Sequence, residues 1–192
     1  MSLSIDPRST ALVIIDLQEG IVANQLTPHD AKSVIDNSER IARALRAAGG
    51  TIVAVHVGFS ADAADRLRQP VDSPMQLPPG GLPANWSTFV PQIAALDAQV
   101  VIQKRQWSAF HGTELDLQLR RRGVRTVIIT GIATNFGVEG TARDAWSSSY
   151  EVVIAEDACS GIGPDLHRFA IEKILPRVAR IRKTGEILEA IG

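Results

Sequence analysis

The chain has 192 residues, of which 45% are hydrophobic and 21% charged, and these proportions exclude a disordered chain and suffice for one domain with a substantial core. Its formal net charge is −1 and its longest run of like charge is Arg120-Arg121-Arg122, which argues against a nucleic-acid-binding surface or a membrane patch. The single cysteine, Cys159, excludes an internal disulfide and a zinc site built from cysteines.

The amino-terminal residues also bear on location. Residues 1–7 lack the basic region and the long apolar stretch of a signal peptide. No apolar run reaches the length that a bilayer requires. We therefore expect a cytoplasmic protein that binds neither nucleic acid nor membrane.

Six short apolar runs rich in β-branched residues predict the strands. They lie at residues 11–15, 51–57, 100–103, 126–130, 151–154 and 178–181. The runs are continuously apolar rather than alternating, which is typical of strands buried on both faces of a sheet.

Four helical patterns lie between these runs. In the first, Thr27 is the predicted N-cap and Pro28 the first helical residue, and Gly49-Gly50 ends the helix. The second runs from Thr113 as N-cap to Gly123, the third starts near residue 135, and the fourth runs from about 165 to Pro176.

Alternation of strand and helix predicts right-handed crossovers and one α/β domain over residues 1–192, with a mainly parallel sheet covered on both faces. In such sheets the ligand binds beyond the carboxyl ends of the strands. The chemistry is therefore expected just after residues 15, 57, 103, 130 and 154.

Residues 58–92 interrupt the alternation. Six of the ten prolines fall there, together with Gly80-Gly81. A long irregular segment within a compact domain is usually functional, so we favour a lid or an assembly surface over a disordered insertion. Its candidate apolar anchors are Met75, Leu77, Leu82, Trp86 and Phe89.

Two charged residues end predicted strands. Asp16 follows the first strand, where partial desolvation would raise its pKa and favour proton transfer near neutral pH; alternatively it is a turn or N-cap residue. Lys104 ends the third strand, where burial would be costly without a partner such as Asp16; alternatively it is a surface cation.

The turn from Gly131 to Glu139 joins the fourth strand to a helix. Backbone N–H groups in the first turn of a helix can bind an anion or stabilise a developing oxyanion. A plain strand–helix turn with glycines for close packing is the alternative.

Together these motifs resemble the signature blocks of the isochorismatase-like hydrolases. The blocks are Asp16-Leu17-Gln18, Lys104-Arg105, Ser108-Ala109-Phe110, Gly112-Thr113, Gly131-Ile132-Ala133-Thr134-Asn135 and Thr141-Ala142-Arg143-Asp144-Ala145. The resemblance implies a three-layer α/β/α, Rossmann-like fold with a doubly wound six-stranded sheet. It also implies a catalytic aspartate and lysine, matched by Asp16 and Lys104, and a cis Ile132–Ala133 peptide bond that aims the Ala133 and Gly137 amides into the site.

The chain departs from most of this family at the nucleophile. Amidases of the family carry a cysteine where this chain has Gly137, and glycine cannot form a thioester. Cys159 lies after the fifth strand and is expected to be buried and protonated. Some amidases also carry an aspartate–histidine metal site, but the four histidines are scattered along this sequence, so we expect no metal.

True isochorismatases are similar to this chain in lacking the cysteine. In them the aspartate is thought to protonate an enol ether, after which water captures the oxocarbenium ion. The resemblance suggests that Gln18, His56 and Arg66 bind substrate. Trp107 and Phe136 adjoin the motif residues and are the candidate pocket walls, with a place in the core as the alternative. His56 could equally be a core histidine, and Arg66 a solvated cation.

Three functions remain open from the sequence. The first is a cofactor-free hydrolase of a small molecule that uses Asp16 and water. The second is an inert binding protein of the same fold, and the third an amidase, conceivably through Cys159. A homodimer or homotetramer is expected, with part of residues 58–92 at the interface. If Asp16 is strained for catalysis, Asp16→Asn should raise stability while abolishing activity.

Overall fold

The sheet has six strands in the computed structural model, which describes residues 3–74, 76–163 and 165–192. The strands are β1 Thr10–Ile15, β2 Thr51–Val57, β3 Val100–Lys104, β4 Thr126–Ile132, β5 Glu151–Ser160 and β6 Arg180–Arg182. The first four agree with the predicted runs to within two residues. β5 continues six residues further, and β6 begins two residues later than predicted.

The strand order is β3-β2-β1-β4-β5-β6, and every neighbouring pair is parallel. β1 lies between β2 and β4, with Ile15 in register with Val55 on one side and Gly131 on the other. The chain thus moves outward from β1 in one direction and then in the other. This is the predicted doubly wound sheet, here entirely parallel among the described strands.

Helices cover both faces of the sheet. They are α1 Glu19–Val22, α2 Ala31–Ala47, α3 Pro91–Ala94, α4 Leu115–Arg121, α5 Glu139–Ser147, α6 Leu166–Phe169 and α7 Thr184–Ile191. None of these helices in the described residues is long and apolar enough to cross a membrane.

Two apolar cores result, one on each face. Alternate residues of β1 divide between them because successive strand side chains point to opposite faces. Leu12 and Ile14 pack in the core that α2, α3 and α7 cover. Val13 and Ile15 pack in the core that α4 and α5 cover. The predicted three-layer α/β/α architecture is confirmed.

The predicted start of the first long helix was wrong. Thr27 is not an N-cap and Pro28 is not helical, because the Thr27–Pro28 bond is cis and Thr27 forms an antiparallel bridge with Gly161. The helix instead begins at Ala31, where the Asp30 carboxylate accepts a 2.7 Å hydrogen bond from the Ser33 amide. A side-chain oxygen at this position satisfies an otherwise free donor.

Other helix boundaries also differ from the predicted ones. α4 begins at Leu115, although the Thr113 hydroxyl does accept a hydrogen bond from the Leu115 amide. The predicted fourth helix is one α-helical turn, α6, followed by a wider turn over Ala170–Ile174 and a tight turn over Leu175–Arg177. Pro176 lies in that tight turn, as expected of a residue that cannot continue a helix.

Residues 58–90 form no helix or strand among the described positions, and α3 begins at Pro91. The predicted apolar anchors differ in burial. Trp86 and Phe89 are partly buried, whereas Leu77 is exposed. Met75 lies outside the described residues.

Candidate active site

Asp16 and Lys104 form a buried ion pair at the carboxyl end of the sheet. Lys104 Nζ lies 2.7 Å from Asp16 Oδ2, and the two side chains are 2% and 7% exposed. Their strands are not neighbours, because β2 lies between β1 and β3. The prediction that the two groups lie within hydrogen-bonding reach is confirmed.

The backbone at the end of β1 turns sharply at Asp16. Its φ of 52° lies in the left-handed region, which aspartate tolerates better than most residues. The Asp16 amide still donates to the Val55 carbonyl at 2.9 Å, so the turn follows the last ladder hydrogen bond directly. The side chain is thereby fixed beyond the strand end.

Burial dominates the electrostatics of the pair. Desolvation raises the pKa of Asp16 to about 6, against the opposing effect of the Lys104 charge. Asp16 Oδ1 is buried and accepts no hydrogen bond from the described residues. Lys104 directs a second N–H to the Gln106 carbonyl at 3.1 Å. One carboxylate oxygen is therefore left for a substrate or a proton.

The turn after β4 reaches this pair from the other side of β1. Gly131 must be glycine, since its φ is 117° and a β-carbon there would lie 2.0 Å from the Ile15 carbonyl oxygen. The Ile132–Ala133 bond is cis, as predicted. Residues Thr134–Val138 then form one wide helical turn that leads into α5.

Gly137 in this turn lies directly beside the ion pair. A β-carbon at position 137 would lie 3.3 Å from Asp16 Oδ2, 3.6 Å from Lys104 Nζ and 2.9 Å from Ile15 Cγ2. A side chain at this position would thus contact both charged groups. Glycine places no side chain against the carboxylate, and the approach to Ile15 shows that the turn packs closely there.

Two aromatic side chains flank the same turn. The rings of Trp107 and Phe136 are 4.8 Å apart between centroids, and the residues are 61% and 38% exposed. Exposed aromatic groups adjoining a buried polar pair suit a binding-pocket wall. Their contact with substrate stays a prediction.

Comparison with known proteins shows which family the chain belongs to. The model of the isochorismatase domain matches residues 10–186. The chain belongs to the isochorismatase family. It is a hydrolase of this superfamily, whose members share the α/β fold described above.

Individual members of the isochorismatase family resemble the chain over nearly its whole length. The isochorismatase family protein YecD of Escherichia coli O157:H7 is 48% identical over 98% of this chain and 100% of its own length. The ureidoacrylate amidohydrolase RutB of Klebsiella pneumoniae is 31% identical over 85% of this chain and 78% of its own. An isochorismatase family structure from Burkholderia thailandensis superposes with a TM-score of 0.93 at 38% identity, covering 100% of this chain and 99% of that one.

Two of the predicted substrate-binding residues make hydrogen bonds to backbone groups, and their contact with substrate stays a prediction. The Gln18 side chain is fully buried; its amide donates to the carbonyls of Val57 and Trp86, both at 3.0 Å, and accepts from the Val57 amide at 2.8 Å. His56 Nδ1 lies 2.9 Å from the Ser87 carbonyl. Both donors of the Gln18 amide are therefore occupied by backbone, which favours a structural role over direct substrate contact.

Arg66 is held by an aromatic ring. Its guanidinium carbon lies 5.4 Å from the Phe59 ring centroid, and Phe59 stacks on Trp86 at 6.3 Å. This cation–π contact is internal to residues 58–92, to which all three residues belong. The predicted role of Arg66 in binding substrate stays a prediction.

Several signature positions of the family prove to be structural. Ser108 Oγ donates to Asp144 Oδ2 at 2.5 Å, and the Ala109 amide donates to Thr141 Oγ1 at 3.1 Å. These bonds fasten the loop after β3 to α5. The sequence analysis did not assign this role, although the spacing of Thr141 and Asp144 by three residues places both on one helix face.

Cys159 lies within β5, away from the surface. It is fully buried and its Sγ lies 3.8 Å from the Ile129 carbonyl. Desolvation raises the pKa of this thiol far above its usual value. The cysteine is therefore a protonated core residue, as predicted, and a poor nucleophile.

The description of the histidines as scattered was wrong for two of the four. His29 and His167 meet at the carboxylate of Glu156, and the three ligand atoms lie within 4.8 Å of one another. Among the described residues this is the one such group of three, and it includes neither Asp16 nor Lys104. The Asp16–Lys104 pair thus has no aspartate–histidine metal cluster beside it in the described part of the chain.

Proposed function

We propose that this hydrolase cleaves a small carboxylate-bearing enol ether, with Asp16 as general acid and water as the nucleophile. The observation that carries the proposal is the position of Gly137. A side-chain nucleophile there would lie against Asp16 and Lys104, and glycine supplies none. Without a nucleophile at this position, the proposed reaction uses Asp16 and a water molecule.

The proposed reaction balances without a cofactor. Protonated Asp16 transfers its proton to the terminal carbon of the enol ether, which forms an oxocarbenium ion and leaves Asp16 ionised. Water adds to the cationic carbon and gives up a proton to Asp16. The resulting hemiketal collapses to an alcohol and a keto acid. A carboxyl whose pKa is about 6 suits this step, because a usable fraction is protonated near neutral pH.

Lys104 has two roles in this proposal. Its charge lowers the pKa of Asp16 from the still higher value that burial alone would give. Two of its N–H groups reach Asp16 and Gln106, and the third could bind the substrate carboxylate. An ammonium in a desolvated site is well suited to an anionic substrate.

The second candidate function is amide hydrolysis, which the likeness to the amidohydrolase RutB favours. With glycine at position 137, an amidase would need another nucleophile. Cys159 is fully buried in the core and protonated, so it is a poor replacement. An inert binding protein is the third candidate, but a buried ion pair is not required for stability and often costs it. Retention of the pair thus favours catalysis.

A panel of enol ethers, nicotinamide, carbamoyl amines and small amides tests these candidates. We expect the wild type to turn over an enol ether and Asp16→Asn to lose orders of magnitude in kcat. Turnover of amides alone would support the second function. Equal inertness of both proteins across the panel would support the third.

Insensitivity to thiol reagents is the corresponding prediction for Cys159. Because the thiol is protonated and enclosed, iodoacetamide should leave the rate unchanged, and Cys159→Ala should retain activity. The measurement is kcat/KM before and after alkylation, with circular dichroism to confirm folding. A folded but inactive Cys159→Ala protein would restore a cysteine mechanism.

A further inference from the structure

Three side chains distant in sequence converge on one point beside the turn after β4. Glu156 Oε1 lies 3.1 Å from His29 Nε2 and 3.3 Å from His167 Nε2. His29 precedes α2, Glu156 belongs to β5 and His167 lies in α6. The antiparallel bridge between Thr27 and Gly161 brings the first and last of these segments together.

We propose that His29, Glu156 and His167 form a binding site for a divalent transition-metal ion, with Zn²⁺ as the best-matched candidate. Two imidazoles and one carboxylate are a usual protein ligand set for zinc, with a fourth position left to water. This site is separate from the Asp16–Lys104 pair, and the inference does not depend on the proposed hydrolysis.

The separations of the Glu156 carboxylate oxygen from the two imidazole nitrogens fit a tetrahedral ion. With zinc–ligand bonds of about 2.0–2.1 Å, two donors in tetrahedral positions lie about 3.3–3.4 Å apart. The two observed separations from Glu156 Oε1 are 3.1 and 3.3 Å. The imidazole rings of His29 and His167 are nearly perpendicular, with centroids 5.5 Å apart, so both can direct Nε2 at the carboxylate.

Thr134 supplies the outer hydrogen bond that metal-binding histidines require. Its hydroxyl is buried and lies 2.8 Å from His167 Nδ1. A hydroxyl can either donate or accept. It can therefore accept a hydrogen bond from Nδ1–H when the Nε2 lone pair binds a metal, which fixes the required tautomer.

Glu156 has a second oxygen to contribute. Oε2 is buried and accepts no hydrogen bond from the described residues, although Lys183 Nζ lies 3.6 Å away. Besides Oε1, this buried oxygen is therefore positioned to bind the same metal ion.

An entry path leads to this site. A cavity of about 280 Å³ opens onto Glu156 and His167, and Asp165, Arg168 and Glu172 contribute to its lining. Two of these three charged residues are acidic. A hydrated cation can therefore approach from solvent.

Zinc titration of tag-free, metal-stripped protein against a chromophoric chelator tests the site. We expect the wild type to bind one equivalent of Zn²⁺. His29→Gln and Glu156→Gln should weaken binding by roughly tenfold or more, because each removes a direct ligand and loss of an outer hydrogen bond alone costs about that much. His111→Gln is the matched control, since His111 is exposed and outside the cluster.

Thermal melting provides a second readout that does not depend on activity. Zn²⁺ should raise the Tm of the wild type and of His111→Gln, because it binds the folded state, and leave His29→Gln unchanged. His29 is partly exposed, so this variant is expected to fold even if Glu156→Gln does not. A wild type that binds Zn²⁺ no more tightly than His29→Gln, or a His111→Gln variant that loses as much affinity, would overturn the proposal.

Discussion

The environment of the Asp16 carboxyl makes it change protonation state close to neutral pH. Its pKa is raised to about 6 by burial, above the usual value of about 3.9. Since the folded state holds the proton more tightly, the stability contribution of this group is full below about pH 4 and is lost as pH rises to about 6. Under the proposed mechanism, catalysis and stability thus depend on the same titration.

The pH dependence of kcat/KM distinguishes an acid from a base at Asp16. If protonated Asp16 is the general acid, kcat/KM should be constant below about pH 6 and fall about tenfold per pH unit above it. A profile measured from pH 4.5 to 8.5 on an enol ether checks this expectation. Activity that instead rises through pH 6 would assign Asp16 as a base.

Asp16→Asn should stabilise the protein at pH 8, as the sequence analysis expected for a strained carboxylate. Asparagine tolerates the left-handed φ of 52° and is neutral, like the protonated carboxyl that the fold favours. Because burial outweighs the Lys104 charge and raises the pKa of Asp16 to about 6, removing the ionised carboxylate should raise the free energy of unfolding by roughly 2–3 kcal/mol. Urea unfolding at pH 8 measures the change.

Two further variants isolate the charge effect. Asp16→Asn combined with Lys104→Met should be at least as stable as Asp16→Asn, because it also removes the buried ammonium. Asp97→Asn is the matched control, since Asp97 also has a left-handed φ, of 49°, but is exposed. An Asp16→Asn protein clearly less stable than the wild type at pH 8 would show that the carboxylate stabilises the fold through Lys104.

At the scale of elements, Gln18 connects β2 to the end of the irregular segment. The Glu19 amide donates to Thr88, the Gly20 amide to Trp86 and the Val90 amide to Leu17, so residues 17–20 and 86–90 run side by side. Gln18 lies within this pairing and adds three hydrogen bonds of its own. Residues 58–92, which we interpret as a lid, are thus fixed at their carboxyl end to Gln18. Gln18 lies two residues after Asp16 in the sequence.

Gln18→Leu should loosen this connection. It keeps an apolar group of similar size but leaves two carbonyls and one amide of the backbone without their partners, each at a cost of about 1–3 kcal/mol when buried. Hydrogen exchange should accelerate at residues 86–90 more than in β1. The exposed Gln25 gives the control Gln25→Leu, and equal protection in both variants would contradict the assigned role.

The elements also show what the sequence could and could not predict. Apolar runs located the strands because burial on both faces leaves a strong signal, and strand ends located Asp16, Lys104 and the Gly131–Gly137 turn. The extension of β5 from Ala155 to Ser160 was hidden because Glu156 and Asp157, which are polar and only partly buried, interrupt the apolar pattern. The meeting of His29 with His167 depends on a bridge between backbones, which no side-chain pattern encodes.

At the scale of the whole molecule, self-association remains the prediction for residues 58–92. Leu67 and Val71 are 65% and 61% exposed, and exposed apolar groups near one another favour an interface. Light scattering at micromolar concentration should give the mass of a dimer or tetramer. Leu67→Glu should then reduce that mass, whereas a monomeric wild type would refute the prediction.

Lys104 lies on an edge strand, and this position affects how the protein loses activity on heating. β3 is bonded to β2 alone, whereas β1, which precedes Asp16, is bonded on both sides. Edge elements open in local fluctuations that cost less free energy than global unfolding. Brief detachment of β3 would withdraw the ammonium while the central strands stay folded, so inactivation by heat should precede melting of the sheet.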